Sequence, residues 1–110
     1  MNQAPATQLV ITTEPTNTYS STNISPAITV EIRDGSNNLV SSSTDNVTIA
    51  IGTNPSGGTL TGTTTVAAVG GVATFSDLQI NNFGTGYSLV VTSGALASDT
   101  SATSDIIAAI

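Results

Sequence analysis

Seven carboxylates, Glu14, Glu31, Asp34, Asp45, Asp77, Asp99 and Asp105, are the only side chains here able to act as general acids or bases. The chain has no His, Cys, Lys or Trp, and Arg33 is its single basic residue. Imidazole, thiolate and amine chemistry are therefore excluded, and only carboxylates could serve. What remains is a glycosidase-type pair of carboxylates. Most of the seven stand in turn contexts, where Asp bonds nearby backbone N–H groups and supplies solubility. No aromatic cluster is present to line a sugar cleft. We expect a protein that is not an enzyme, with no catalytic residue and no required cofactor.

Calcium needs only oxygen ligands. Asp34 with Asn37 and Asn38, or Asp45 with Asn46, could contribute such ligands at a loop or a module junction, although neither matches the EF-hand pattern. Ordinary Asx turns use the same residues. Sugar recognition by a β-sandwich draws on exposed aromatic rings, and only Tyr19, Phe75, Phe83 and Tyr87 are available. Phase along the strands puts Phe75 and Tyr87 in the core and leaves Tyr19 and Phe83 in turn regions. Asn23-Ile24-Ser25 and Asn46-Val47-Thr48 match the N-glycosylation sequon, a match that arises readily by chance in a Ser/Thr-rich chain.

The elements that must position these residues follow from composition and pattern. The 110 residues suffice for one domain with one core. The apolar 38% is carried by Val, Ile, Leu and Ala, while Ser and Thr, roughly a third of the chain, solvate the outer faces without charge. A net charge of −6 leaves nothing to neutralise phosphates, so nucleic acid is excluded as a partner. Membrane insertion is not expected either, because no run of about 18 apolar residues exists. Residues 1–6 read as a disordered leader without signal-peptide character and 108–110 as a linker, flanking one domain over 7–107.

Short β runs recur between turn clusters at roughly 8–12-residue spacing, the mark of a two-sheet sandwich of about seven strands. Residues 8–13 place Leu9 and Ile11 inward and end at Pro15, which cannot continue a ladder. Residues 27–34 alternate Ile28, Val30 and Ile32 inward with Thr29, Glu31 and Arg33 outward, a central half-buried strand carrying an exposed Glu31–Arg33 ion pair. Residues 39–44 read as a short polar segment. Residues 46–51 place Val47, Ile49 and Ile51 on one face.

Gly70-Gly71 has the composition of a two-residue hairpin turn. If Val69 opposes Val72, then Ala68 opposes Ala73 and Val66 opposes Phe75, with all four of these on the core face. The inward parity changes between Phe75 and Leu78, which predicts a bulge or corner near Ser76-Asp77. Tyr87, Leu89 and Val91 then alternate inward with Ser88, Val90 and Thr92. The last strand falls within 95–107, where Ala, Ser and Thr give little contrast.

Several of these runs together resemble the bacterial Ig-like repeat, found in tandem in large surface and secreted proteins, including adhesins similar to intimin and invasin. They are Leu9-Val10-Ile11-Thr12-Thr13-Glu14-Pro15, Ile24-Ser25-Pro26-Ala27-Ile28-Thr29-Val30-Glu31-Ile32-Arg33-Asp34, Gly71-Val72-Ala73-Thr74-Phe75-Ser76-Asp77-Leu78-Gln79-Ile80 and Gly84-Thr85-Gly86-Tyr87-Ser88-Leu89. The resemblance implies an all-β, immunoglobulin-like Greek-key sandwich of antiparallel strands. It implies an extracellular or cell-surface spacer or stalk module whose partners are neighbouring domains of the same chain. A ligand-binding adhesin or carbohydrate-binding module, with a protein or glycan ligand, is the alternative. Tyr87, two residues before Leu89, stands where such sandwiches place a corner tyrosine. The absence of Lys excludes the Lys–Asn or Lys–Asp isopeptide cross-link of some surface modules.

Overall fold

The computed structural model of the chain describes residues 6–24, 27–55, 57–94 and 96–107. Residues 1–5 of the expected leader, the linker 108–110, and Ser25, Pro26, Ser56 and Ala95 lie outside the described residues. Among those described, every regular element is a strand: β1 (Ala6–Thr13), β2 (Thr18–Tyr19), β3 (Ile28–Asp34), β4 (Asn46–Ile51), β5 (Leu60–Thr61), β6 (Thr65–Ala67), β7 (Val72–Phe75), β8 (Gln79–Ile80), β9 (Gly84–Tyr87), β10 (Leu89–Thr92), β11 (Asp99–Thr100) and β12 (Ser104–Ile107). No helix among them is long and apolar enough to cross a membrane.

Twelve segments make two layers. In the first, β1, β3 and β7 pair in that order, all antiparallel. The chain continues from β7 through Leu78 into β8, which pairs with β5. The N–H groups of Ser21 and Ile24 donate to the Ile80 and Leu78 carbonyls, so residues 21–24 extend the β3 side of this layer. In the second layer the hairpin of β9–β10 with β11–β12 is central, β4 pairs with β10 and β6 with β4, and β2 pairs with β12. Ladder bonds run through the hairpin's interruption, because the Ser101 N–H donates to the Leu89 carbonyl at 2.7 Å and the Leu89 N–H to Ser101 Oγ at 2.9 Å. The result is the immunoglobulin-like Greek-key sandwich, with one parallel pair, β2 with β12, among antiparallel ones.

Between the layers lie Ile28, Val30 and Ile32 of β3, Ala73 and Phe75 of β7, Val47 and Ile49 of β4, and Leu89 and Val91 of β10, all buried. The period-2 alternation of each strand turns these residues inward, since successive side chains of a pleated strand point to opposite faces. The expected ion pair is present: Arg33 Nη2 lies 2.9 Å from Glu31 Oε1 on the half-buried outer side of β3.

The turn at Gly70-Gly71 has both residues at positive φ, 60° and 82°, the type I′ geometry. Val69 and Val72 pair across it. The register expected beyond that rung does not form. Val66 pairs with Val47 in the second layer, whereas Ala73 pairs with Val30 and Phe75 with Ile28 in the first. After a single rung the arms splay into opposite layers, so Ala68 and Ala73 face the interior from two sides instead of lying in one ribbon. The turn packs tightly where it does so: a Cβ on Gly71 would stand 2.5 Å from the Val40 carbonyl oxygen.

Two further expectations change. Residues 39–44 contain Val40, which is buried and whose N–H donates to the Ile32 carbonyl at 2.8 Å. Ser88, expected outside, is also buried, because residues 52–53 cover it. Its Oγ accepts the Thr53 N–H at 2.8 Å and its carbonyl accepts the Gly52 N–H at 2.8 Å. The corner after Phe75 forms where parity requires it, and Leu78 and Ile80 both face inward beyond it.

Phe75, 1% exposed, is among the largest core side chains. Phe75→Ala is expected to cost about 3–5 kcal/mol in chemical denaturation by leaving a cavity. A loss under about 1 kcal/mol would place the ring outside the core.

Candidate functional site

All seven carboxylates are engaged as hydrogen-bond acceptors, each at a structural junction. Asp34 Oδ1 accepts the N–H groups of Ser36 and Asn38 at 2.9 and 3.0 Å, closing the turn after β3. Glu31 holds Arg33, and Asp45 Oδ2 accepts the Ser43 hydroxyl at 3.1 Å. Asp105 Oδ1 accepts the Gly86 N–H at 3.1 Å.

The calcium candidates Asp34 and Asn37 share one turn. The Asn37 side-chain oxygen, which would have to face a cation, instead accepts Arg33 Nη1 at 3.1 Å. Asp45 belongs to a separate loop with Ser43 as its partner. Among the described residues no three His, Cys, Asp or Glu side chains are grouped to hold a metal ion.

Asp77 clamps the point where the chain changes layers between β5 and β6. Its two oxygens accept the Thr63 N–H at 2.9 Å and the Thr63 hydroxyl at 2.8 Å. Gly62, at φ 111°, makes the crossing, and a Cβ there would stand 2.3 Å from the Asp77 carbonyl oxygen. The Thr63 backbone bond, then the Thr63 hydroxyl, hold the Asp77 carboxyl below its ordinary pKa of 3.8.

The main constellation is the contact between the first and last strands. At one end the Leu9 N–H donates to the Ala97 carbonyl at 3.0 Å and the Ala97 N–H to the Thr7 carbonyl at 2.9 Å. At the other, Thr18 and Tyr19 pair in parallel with Ile106 and Ile107, and the Ser20 N–H donates to the Ile107 carbonyl at 2.8 Å. Pro15 interrupts the backbone ladder between them, and side chains take over. Asp99 Oδ2 accepts the Ile11 N–H at 2.9 Å, Glu14 Oε1 accepts the Ala102 N–H at 3.1 Å, and Asn17 Oδ1 accepts the Asp105 N–H at 2.8 Å. All three bonds join residues 88 apart in sequence, so they form one parallel seam in constant register. Sequence inspection does not reveal it, because an acceptor and its donor 88 residues away leave no local pattern.

Phe75 and Tyr87 lie in the core, as their phase requires, while Tyr19 is 55% and Phe83 62% exposed. The Tyr87 hydroxyl donates to the Asn82 carbonyl, five residues upstream, at 2.9 Å. This is the tyrosine corner of immunoglobulin-like sandwiches.

No family model and no curated protein matches the chain. Solved structures do. Two crystal structures of Parabacteroides merdae β-glucuronidase, one with glycerol in its active site, superpose with TM-scores of 0.58 and 0.57 at 21% sequence identity. Each covers 90% of this chain, which spans only 12% of the glucuronidase chain. At this identity the likeness establishes the shared fold.

The Asp77 clamp makes a pH-dependent prediction. A carboxyl that titrates lower in the folded chain stabilises fully above its unfolded pKa, and that contribution is lost as pH falls through the folded value. Asp77→Asn is therefore expected to lower Tm at neutral pH, with the gap to the parent chain closing below pH 3.8. A gap that stays constant across a pH series of melting curves would assign the effect to something other than this carboxylate.

Proposed function

We propose that this chain is a non-catalytic spacer module of the bacterial Ig-like repeat kind, holding neighbouring domains of a larger surface or secreted protein apart and bearing tension along their axis. The parallel seam between the first and last strands carries this reading. In a parallel terminal pair the two chain ends leave at opposite ends of the seam. Force applied through them runs along both strands in opposite directions. The backbone bonds near Ala97 and Ile107 and the side-chain bonds at Asp99, Glu14 and Asn17 are then loaded together in shear rather than one after another.

Three further observations agree with a spacer. The principal-axis extents of 55 × 19 × 19 Å describe an elongated unit. Every carboxylate that could have served catalysis is committed to a turn, a strand contact or Arg33. The β-glucuronidases that share the fold carry it as a small part of a much longer chain, which is how a module occurs.

Single-molecule pulling through the chain ends tests the load-bearing role. The expected result is unfolding well above the force of a helical domain, falling in the double variant Glu14→Ala/Asp99→Ala, which removes two seam acceptors. Helical-like forces in the parent chain would overturn it. The spacer role is tested separately by sequencing the coding DNA on either side, where tandem near-copies are expected; a lone copy joined to a catalytic domain would count against it.

A further inference from the structure

The outer face of the second layer carries an exposed row of Tyr19, Ile107 and Phe83. Tyr19 pairs with Ile107 across the seam, and Ile106 pairs with Gly84, which places Phe83 on the other flank of Ile107. Thr18 and Ile106 are buried, so their neighbours Tyr19 and Ile107 face outward. The three are 55%, 44% and 62% exposed. Two strand spacings separate the aromatic positions, about 10 Å. The chain has only four aromatic residues, and half of them stand in this row, where core packing does not account for them.

Polar side chains, each with one oxygen already bonded, stand two positions from members of the row in sequence. Asn17 precedes Tyr19 by two positions and Asn81 precedes Phe83 by two. The oxygen of each amide is engaged, Asn17 Oδ1 by the Asp105 N–H and Asn81 Oδ1 by the Thr59 N–H, both at 2.8 Å. Their NH2 groups are thereby turned away from those bonds and have no partner among the described residues. Asp105, two positions before Ile107, uses Oδ1 for the Gly86 N–H and leaves Oδ2 as an acceptor.

We propose that this row is a binding platform for a neutral glycan, a pyranose chain without acidic groups. The negative faces of the two rings attract the polarised C–H faces of sugar rings. Oriented amide donors and a carboxylate acceptor match sugar hydroxyls, which donate and accept. Asp105 and the net charge of −6 oppose uronic or sulfated sugars, and the one basic side chain, Arg33, is tied to Glu31 and Asn37 in the other layer. Two rings and one aliphatic side chain are far fewer than the roughly 20–30 residues a side of a stable protein interface. The proposal does not rest on the spacer reading.

The test is titration of the isotopically labelled chain, followed by NMR, with neutral hexasaccharides of glucose, xylose, mannose and N-acetylglucosamine, and with a hyaluronate hexasaccharide as anionic control. Expected are saturable shifts confined to residues 17–19, 81–84 and 105–107 with at least one neutral probe, and none with hyaluronate. Tyr19→Ala and Phe83→Ala should each weaken binding about tenfold, as loss of one stacking ring does elsewhere. Both sites are exposed, so the remaining spectrum should be unchanged, and Val69→Ala at the hairpin tip should bind as the parent does. No shifts with any neutral probe at millimolar concentration, or equal shifts with hyaluronate, would overturn the proposal. Shifts in the row on protein dilution alone would overturn it too, by showing a second copy as the occupant.

Discussion

Closure of the first strand onto the last is the contact on which the two-layer arrangement depends. β1 belongs by its antiparallel ladder to the layer of β3, yet its far edge reaches Ala97 and Asp99 of the other layer. It therefore spans one open side of the sandwich. Pro15 then removes a donor where the chain must pass from β1 to β2. Glu14, Asn17 and Asp99 supply the missing acceptors, so backbone N–H groups on both strands stay bonded across a gap that ladder pairing alone cannot cross. With no cysteine for a disulfide and no lysine for an isopeptide link, these bonds and the buried branched side chains keep the layers together.

The opposite side is organised by two changes of layer and one pivot within the second layer. The chain crosses at Gly62-Thr63 under the Asp77 clamp, again at the Gly70-Gly71 turn, and pivots at Ser88 between β9 and β10. Each crossing combines a residue that tolerates the path with a polar group that satisfies the backbone it exposes. Gly62 and Gly71 approach carbonyl oxygens too closely for any Cβ, while Thr63, Asp77 and Ser88 provide the bonds. A buried polar side chain such as Ser88 is stable because its hydroxyl and both its backbone groups are paired.

Much of the first layer was legible because its residues contrast sharply. Ile28, Val30 and Ile32 alternate with Thr29, Glu31 and Arg33, and the three-residue step from Phe75 to Leu78 calls for a bulge or corner. Alternation reports which face a residue takes but not which strand lies beside it. That is why the inward set of Ala68, Ala73 and Phe75 was readable while the pairing of the two hairpin arms was not. Val40 and Ser88 escaped for the complementary reason, since their burial comes from segments distant in sequence. The core placement of Tyr87 could be read from phase; its bond to the Asn82 carbonyl needed the loop geometry. Of the seam, only the stop at Pro15 was visible, because the identity of its acceptors depends on a register set by the whole fold.

A Ser/Thr-rich sandwich with a single base must also avoid pairing with copies of itself through unpaired strands, the common hazard of open β-sheets. Here β1 occupies the side where both layers would otherwise end. On the opposite side the outermost strands are β5, of two residues, β6, of three, and β7, of four, too short to template a long ladder. The hairpin arms splay apart after one rung, which breaks that edge further, and a uniform negative charge keeps copies apart at long range. Exposed rings are tolerable on such a surface because the strands that carry or adjoin them, β2 of two residues and β9 of four, are edges too short for a long ladder. The same economy explains why so few charged residues suffice: each carboxylate fixes a crossing, a turn, a side chain or the seam while also contributing to the repulsion between copies.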